Sequence, residues 1–261
     1  MATHAAEVTT GRVEAGVAVQ VEGLVRSFGD RTILDHIDLT IARGEFVALI
    51  GRSGSGKSTL LRAVAGLDYD VDGSGDLWTP QEVSLVFQDS RLLPWARVLD
   101  NVTLGRRGSG IKERGRQMLA EVGLAGREKA WPHELSGGEQ QRAALARSLV
   151  SEPDLLLADE PFGALDALTR IKMHALLREL LGKHNPAVLL VTHDVDEAVH
   201  LADRVLVIDD GRFSLDLSID LPDGHPAGHP RFQEYRAQLL SALGVSEGGA
   251  PAEPIHEETP A

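Results

Sequence analysis

The chain reads Gly51-Arg52-Ser53-Gly54-Ser55-Gly56-Lys57-Ser58 between an apolar run, Phe46–Ile50, and a helix-like stretch that begins at Thr59. This is the complete G-x-x-x-x-G-K-[ST] pattern, in the strand–loop–helix order in which α/β proteins bind phosphates. Glycines let the backbone wrap closely around a phosphate chain, and the helix start adds its positive end. We expect Lys57 to reach the β- and γ-phosphates and the Ser58 hydroxyl to bind Mg²⁺. The segment 51–59 therefore predicts a nucleotide site.

A second segment with this chemistry is the apolar run 155–158, which ends in Asp159 and Glu160. A buried strand that delivers acids to its carboxyl end suits a Mg²⁺-nucleotide site. Asp159 would hold the metal through water, and Glu160 would act as general base toward the attacking water. The alternative is a strand end followed by acidic loop residues, which is common on its own.

His193 stands in a similar place, because Thr192-His193-Asp194 directly follows the apolar run 188–191. At the carboxyl end of a parallel strand, His193 would contact the γ-phosphate and position the attacking water. The alternative is a histidine with a purely structural role.

A second glycine-rich helix start follows Leu135 and reads Ser136-Gly137-Gly138-Glu139-Gln140-Gln141-Arg142. Ser136 is a good helix N-cap, and the two glycines leave backbone N–H groups open to an anion. The alternative is a flexible helix start. A flexible start does not explain why a chain with one phosphate loop carries a second anion-binding segment about eighty residues later.

Composition narrows the class of protein. The 261 residues carry 26 Lys and Arg against 39 Asp and Glu, a net charge of −13, which argues against nucleic acid and anionic membranes as partners. The absence of cysteine excludes disulfide frameworks, Fe–S clusters and thiolate catalysis. No apolar stretch reaches the 18 or so residues of a membrane span, and the first 16 residues do not resemble a signal peptide. We therefore expect a soluble, cytoplasmic protein.

The chain divides into three parts. Residues 1–16 are small and polar without periodicity, and residues 246–261 carry four Glu and no basic residue, so we expect a disordered lead and a disordered acidic tail. Residues 17–245 are expected to form one α/β domain, in which 89–150 is a helical subdomain. Beyond Gly211 the pattern weakens, apart from an amphipathic helix predicted over Arg231–Leu243.

In their order along the chain, these four segments resemble ABC-type ATPases, and the string Leu135–Arg142, LSGGEQQR, is specific to that family. The resemblance extends from about Val17 to Gly211. It implies a P-loop core with a parallel sheet, an N-terminal antiparallel β region and an inserted helical subdomain. It further implies a head-to-tail homodimer in which each ATP lies between one glycine loop and the partner's Ser136–Glu139 segment.

The resemblance also assigns roles to three further residues. Phe28 resembles the aromatic residue that stacks on adenine, although a core phenylalanine is the alternative. Gln88, directly after the predicted strand Val83–Phe87, resembles the glutamine that touches Mg²⁺ and the attacking water. Asp166 resembles the aspartate that crosses the dimer and couples the two sites. The predicted ligands are ATP and Mg²⁺, and the metal would be held by Ser58, Gln88 and Asp159.

Residues 89–95, Asp-Ser-Arg-Leu-Leu-Pro-Trp, resemble the surface on which such ATPases dock a separate membrane permease; internal packing is the alternative. The string 88–102 resembles importers of the nitrate, sulfonate and taurine group, and the segments 211–222 and 231–234 resemble the aliphatic sulfonate import subunit. This resemblance implies a peripheral subunit on the cytoplasmic face of the inner membrane, with a permease dimer as partner and, indirectly, a solute-binding protein.

Three alternatives remain open. One is the same role for nitrate, taurine or another small anion. The second is an ABC ATPase outside transport or a regulatory nucleotide-binding module. The third, a metal site at His225 and His229, competes with a Pro- and Gly-rich loop that contains two unrelated histidines.

Overall fold

The computed structural model describes residues 16–69, 71–222 and 227–245. The strands are β1 Val17–Phe28, β2 Arg31–Ala42, β3 Phe46–Gly51, β4 Asp72–Trp78, β5 Val83–Phe87, β6 Leu155–Asp159, β7 Ala187–Val191, β8 Arg204–Asp209 and β9 Arg212–Ser218. The helices are α1 Lys57–Val64, α2 Val98–Val102, α3 Ile111–Glu121, α4 Gly137–Leu149, α5 Ala167–His184, α6 Val195–Leu201 and α7 Pro230–Ala242, with a 3-10 turn at Pro132–Glu134. The tail 246–261 and all of the lead except Gly16 lie outside the described residues, as does His225.

The centre of the molecule is a six-stranded sheet in the order β5-β6-β7-β3-β8-β9. Every neighbouring pair is parallel except β8 and β9, which are antiparallel. The inner strands β3, β6 and β7 are buried on both faces, which explains why their sequences are continuous apolar runs. Because the five parallel strands point the same way, their carboxyl ends meet at one edge of the sheet, where α/β proteins bind ligands.

Side chains of β3 alternate between two cores. Val47 and Leu49 join the core that β1, β2 and α1 cover, while Phe46, Ala48 and Ile50 join the core under the other helices. The first core is closed by a separate antiparallel sheet in the order β2-β1-β4. The predicted parallel P-loop core with an N-terminal antiparallel β region is confirmed.

Residues 89–150 contain α2, α3 and α4, which pack against one another between β5 and β6. Gly115 lets α3 approach α2, because a side-chain carbon at this position would lie 2.6 Å from Thr103 Cγ2 and 2.8 Å from Leu99 Cδ1. The apolar faces of these helices join the same core as the adjacent face of the central sheet. The inserted helical subdomain of the predicted fold class is thus present as a layer continuous with that core.

Two strands lie where the sequence pattern does not predict them. β4 reads Asp-Gly-Ser-Gly-Asp-Leu-Trp, a composition typical of turns, yet it pairs with β1 so closely that a carbon on Gly75 would lie 2.5 Å from the carbonyl oxygen of Gly23. β9 is a half-buried edge strand after Gly211. The predicted C-terminal helix is confirmed as α7, which buries Phe232 and Leu239. Within the described ranges, no helix combines the length and apolar character needed to cross a membrane.

Candidate functional site

The predicted catalytic segments leave the central sheet at adjacent positions of one edge. Phe87 pairs with Asp159, and Asp159 pairs with Val191. Gln88, Glu160 and Thr192, the residues that follow, therefore emerge side by side. Val191 also pairs with Leu49 of β3, two residues before the glycine loop. The parallel order of the strands thus brings together segments that are more than 100 residues apart in sequence.

The glycine loop, residues 51–56, needs its glycines for two reasons. A side-chain carbon on Gly51 would lie 2.3 Å from the carbonyl oxygen of Ile208, and Gly54 and Gly56 have φ angles of +79° and +109°. In the described part of the chain, no side chain caps the start of α1, and its first turn contains no acidic residue. The backbone N–H groups at this helix start are therefore available to an anion without competition from a capping side chain.

Lys57 is buried in this loop, where its Nζ donates to the carbonyl oxygens of Gly51 at 2.8 Å and Arg52 at 2.9 Å. Burial lowers the pKa of Lys57 below its ordinary value, while the charges of Glu160 and Asp159 oppose this shift. The ammonium group thus adds positive charge to the same edge of the sheet that carries the two carboxylates.

A surface cavity of about 380 Å³ adjoins the glycine loop. Its lining residues come from the loop, from α1 and from the β1–β2 hairpin: Phe28, Arg31, Ile33, Gly54, Gly56, Lys57, Ser58 and Thr59. The Phe28 residue is 51% exposed, so it is not a core residue. The cavity has the size of a small-molecule site and combines an aromatic face with a phosphate-type loop.

Glu160 lies at the turn that follows β6, with its backbone in the left-handed region at φ +47°. Its N–H donates to the carbonyl oxygen of Val191 at 2.9 Å, and its Oε2 lies 3.1 Å from Nδ1 of His193. A glutamate rarely adopts this backbone conformation, although Glu152 has a similar φ of +49°. Burial, followed by the charge of Glu160, raises the pKa of the adjacent Asp159. The structure thus brings Asp159, Glu160 and His193 together.

Gln88 is exposed at the end of β5 and lies against the turn that follows Glu160. A side-chain carbon on Gly163 would lie 3.1 Å from Gln88 Nε2 and 3.5 Å from the carbonyl oxygen of Glu160. The absence of a side chain at Gly163 therefore lets the Gln88 amide approach this turn.

The second glycine segment, residues 136–139, is closed by its own side chains. Ser136 Oγ accepts from the Glu139 N–H at 3.3 Å, and Glu139 Oε2 accepts from the Ser136 N–H at 2.9 Å and from its hydroxyl at 2.8 Å. The Ser136 and Glu139 side chains bond to each other's segment, and Glu139 also pairs with Arg127 at 3.1 Å. The backbone and hydroxyl donors of Ser136, in that order, lower the pKa of Glu139.

Asp166 is exposed and caps α5 by accepting from the Thr169 N–H at 3.0 Å. The α5 start lies against the α4 start, because a side-chain carbon on Gly138 would lie 3.0 Å from Thr169 Cγ2. Asp166 and Ser136 therefore occupy neighbouring helix ends on the molecular surface.

Comparison with known proteins decides the family. The family model described as ABC transporter matches residues 34–163. A protein of Streptomyces avermitilis named aliphatic sulfonates import ATP-binding protein SsuB 2 is 67% identical over 247 residues, which cover 95% of this chain and 96% of the relative. A protein of the same name from Nocardia farcinica is 70% identical over 227 residues, which cover 87% of this chain and 95% of the relative.

The chain belongs to the ABC transporter family. A solved dimeric ATP-binding cassette in a post-hydrolysis state, bound to ADP and Pi, has a TM-score of 0.66 and 29% identity; the match covers 78% of this chain and all of that chain. A second solved dimeric structure of a bacterial ABC transporter cassette has a TM-score of 0.67 at the same identity and coverage.

In this ABC protein, Asn101 holds the loop after Gln88 in place through hydrogen bonds, a role that the sequence pattern did not indicate. Asn101 is fully buried, accepts from the Leu93 N–H at 2.6 Å and donates to the carbonyl oxygens of Leu93 at 3.1 Å and Ala96 at 3.0 Å. Leu92 packs toward the core, whereas Pro94 and Trp95 point outward, and Trp95 is 73% exposed. The alternative of internal packing therefore holds for Leu92, whereas Trp95 remains on the surface.

Other residues around the ABC site also escaped sequence reasoning. Arg31 lines the cavity beside Phe28, and Arg170 donates to Asp194 Oδ2 at 3.1 Å, next to His193. Gln141 donates to the carbonyl oxygens of Phe87, at the end of β5, and of Pro161, two residues after β6. The letters LSGGEQQR include Gln141, but nothing in them distinguishes its buried position from that of its neighbour Gln140.

Proposed function

We propose that this chain is the ATP-hydrolysing subunit that energises import of aliphatic sulfonates through a separate membrane permease. The observation that carries this proposal is the identity of 67% to 70% with named sulfonate import ATP-binding proteins over most of both chains. The gathered Lys57, Glu160 and His193 supply the chemistry that such a subunit needs. The solute itself is attributed on the strength of these relatives.

ATP binding begins with the glycine loop. The triphosphate lies against the backbone N–H groups of residues 51–59 and the Lys57 ammonium, and adenine stacks on Phe28 in the adjoining cavity. Lys57 exchanges its bonds to the backbone carbonyls of the loop for phosphate oxygens. After this exchange, the phosphates of the nucleotide neutralise the charge of Lys57, in place of the more distant carboxylates of Glu160 and Asp159.

The residues present fit Mg²⁺. Ser58, Gln88 and Asp159 offer hydroxyl, amide and carboxylate oxygens, which are the donors that this ion prefers. The ion would take its remaining ligands from phosphate oxygens and water. Mg²⁺ supplies charge neutralisation at the phosphates when bound.

Hydrolysis is assigned to the Glu160 turn. Glu160 accepts a proton from the attacking water as the water oxygen bonds to the γ-phosphorus, and the bond from that phosphorus to the ADP oxygen breaks. His193, 3.1 Å from Glu160, orients the carboxylate and contacts the γ-phosphate. Gln88 lies beside the same turn and orients the water.

Assembly completes the site. A second copy supplies Ser136–Glu139 to the nucleotide, and Asp166 crosses the contact between copies. The permease dimer docks on the loop 89–95, where Pro94 and Trp95 are exposed. We place the subunit on the cytoplasmic face of the inner membrane, peripheral through the permease, with a solute-binding protein as an indirect partner.

The test is growth of a host that lacks this gene. We expect it to lose growth on an alkanesulfonate as sole sulfur source and to keep growth on sulfate, with taurine and nitrate tested in parallel. The wild-type gene should restore growth, and Lys57→Ala should not. Normal growth on the alkanesulfonate, in a host with no second sulfonate importer, would contradict the substrate assignment and leave the ATPase assignment standing.

A further inference from the structure

Gln141 is a buried polar residue to which none of the predicted steps assigns a role. It lies in the second turn of α4 and is 4% exposed. Its Nε2 donates to two backbone carbonyl oxygens, that of Phe87 at 3.0 Å and that of Pro161 at 2.8 Å. Both donor hydrogens of one amide group are therefore used on two different segments of the chain.

The two carbonyls belong to the residues next to the catalytic ones. Phe87 directly precedes Gln88, and Pro161 directly follows Glu160. A buried carbonyl that loses its donor is costly, so the amide sets the spacing of these two segments in a way that apolar packing would not. The Gln88 side chain meets the same turn at Gly163, which makes a second contact between the segments.

The same helix also holds the loop that follows Gln88. Arg147 donates to the carbonyl oxygens of Ser90 and Arg91, both at 2.8 Å. α4 therefore contacts the end of β5, directly before Gln88, through Gln141 and the loop 89–95 through Arg147. The Gln141 amide thus forms a hydrogen-bonded link from the residue before Gln88 and from α4 to the residue that follows Glu160.

We propose that Gln141 is a positioning residue for ATP hydrolysis: its amide sets Gln88 relative to Glu160 and passes displacements of the loop 89–95 to the Glu160 turn. Gln141 touches neither nucleotide nor water in this role. The inference rests on the proposed function, because it assigns the coupling element of the same ATPase site.

The experiment compares Gln141→Met with wild type, using the full chain, Mg²⁺ and ATP. Methionine keeps the volume and removes both donors. We expect kcat to fall about tenfold or more, as for a misplaced catalytic group, while the dissociation constant of ATP, measured by titration calorimetry, changes less than twofold. The matched control is Ser148→Ala, which removes a buried side-chain bond to Leu145 within the same helix and touches neither loop.

A wild-type kcat in Gln141→Met would overturn the inference, as would a loss of ATP affinity equal to the loss of kcat or an equal loss of kcat in Ser148→Ala. If Gln141→Met does not fold, Gln141→Asn keeps a donor that is too short to reach both carbonyls; an intermediate kcat supports the inference, and a wild-type kcat overturns it. A wild-type chain with no ATPase activity would instead contradict the proposed function. Glu160→Gln marks the background rate for all variants.

Discussion

The two glycine-rich helix starts of this molecule differ in how their donors are used. At α1, within the described residues, no side chain caps the helix, and Gly56 precedes it in the left-handed region. At α4, Ser136 and Glu139 form a complete capping box. The first helix start presents N–H groups without a side-chain cap beside a lysine and a cavity, whereas at the second the N–H of Glu139 and the N–H and hydroxyl of Ser136 are bonded within the capping box.

We infer from this difference that the two similar compositions serve different purposes. A helix start without a cap is less stable on its own and gains stability when an anion binds. A capped start is stable before any ligand arrives and keeps a fixed shape that a nucleotide held elsewhere can meet. We infer that α1 binds the nucleotide within one copy, and that α4 presents its preformed end to the nucleotide of a second copy.

The largest expected effect separates these two roles. Ser136→Arg places a long cation where the second copy would meet the phosphates, so we expect ATP hydrolysis to fall at least about 100-fold. The affinity of the isolated chain for ATP should change less than about threefold, because the α1 site is untouched. ATPase assays and calorimetric titration measure the two quantities. Lys57→Ala is the matched control, since it should remove affinity itself.

Normal turnover in Ser136→Arg would show that the α4 start does not reach the nucleotide of a second copy. The comparison between the two helix starts would then reduce to a difference in local capping.

A smaller effect is expected at Phe28, which gives the α1 site a base-binding surface. Phe28→Ala removes the stacking ring, so we expect the dissociation constant of ATP to rise about tenfold. Phe28→Tyr keeps the ring and should bind ATP like wild type. An equal loss of affinity for inorganic triphosphate would contradict stacking, because that ligand has no base and contacts the glycine loop alone.

The capping box itself is expected to contribute to stability. Glu139→Ala removes the acceptor for the N–H and the hydroxyl of Ser136, and with it the ion pair to Arg127. We expect the free energy of unfolding to fall by about 1 kcal/mol and Tm to fall by about 2–4 °C. The control is Glu113→Ala, which breaks the exposed pair to Arg116, 2.8 Å apart, and should change Tm less. Equal shifts in the two variants would mean that the box adds nothing beyond an exposed ion pair.

Features that depend on the type of adjacent residues could be predicted from the sequence. The strands β3, β6 and β7 were predictable because a strand buried on both faces must be apolar throughout. The glycine loop was predictable because its chemistry lies in adjacent residues. The roles of the individual site residues stay predictions until variants are assayed.

Tertiary context decided the features that the sequence did not reveal. Gln141 bonds to carbonyls 54 and 20 residues away, and any residue type presents a carbonyl there. β4 has the composition of a turn and becomes a strand because β1 offers it an edge. Arg31 lines the cavity because the β1–β2 hairpin places it there.

The smallest expected effect concerns Asp159, the carboxylate at the end of β6 directly before Glu160. Because burial and the charge of Glu160 raise the pKa of Asp159 above its ordinary 3.8, the folded state binds this proton more tightly than the unfolded state. The stability of the folded chain therefore falls as pH rises from 3.8 through the raised pKa, and the full penalty is present at neutral pH. Asp159→Asn removes this penalty.

We expect the Tm of Asp159→Asn to exceed that of wild type at neutral pH without nucleotide, and the difference to shrink as the pH is lowered toward 3.8. Asp76→Asn, at an exposed position of β4, reports the effect of one fewer negative charge on a chain of net charge −13. A Tm of Asp159→Asn below that of wild type at neutral pH would contradict the prediction that ionised Asp159 destabilises the folded chain. A higher Tm together with a loss of hydrolysis would instead show that this site, unlike the capped α4 start, keeps an unfavourable charge at Asp159 in order to bind a cation.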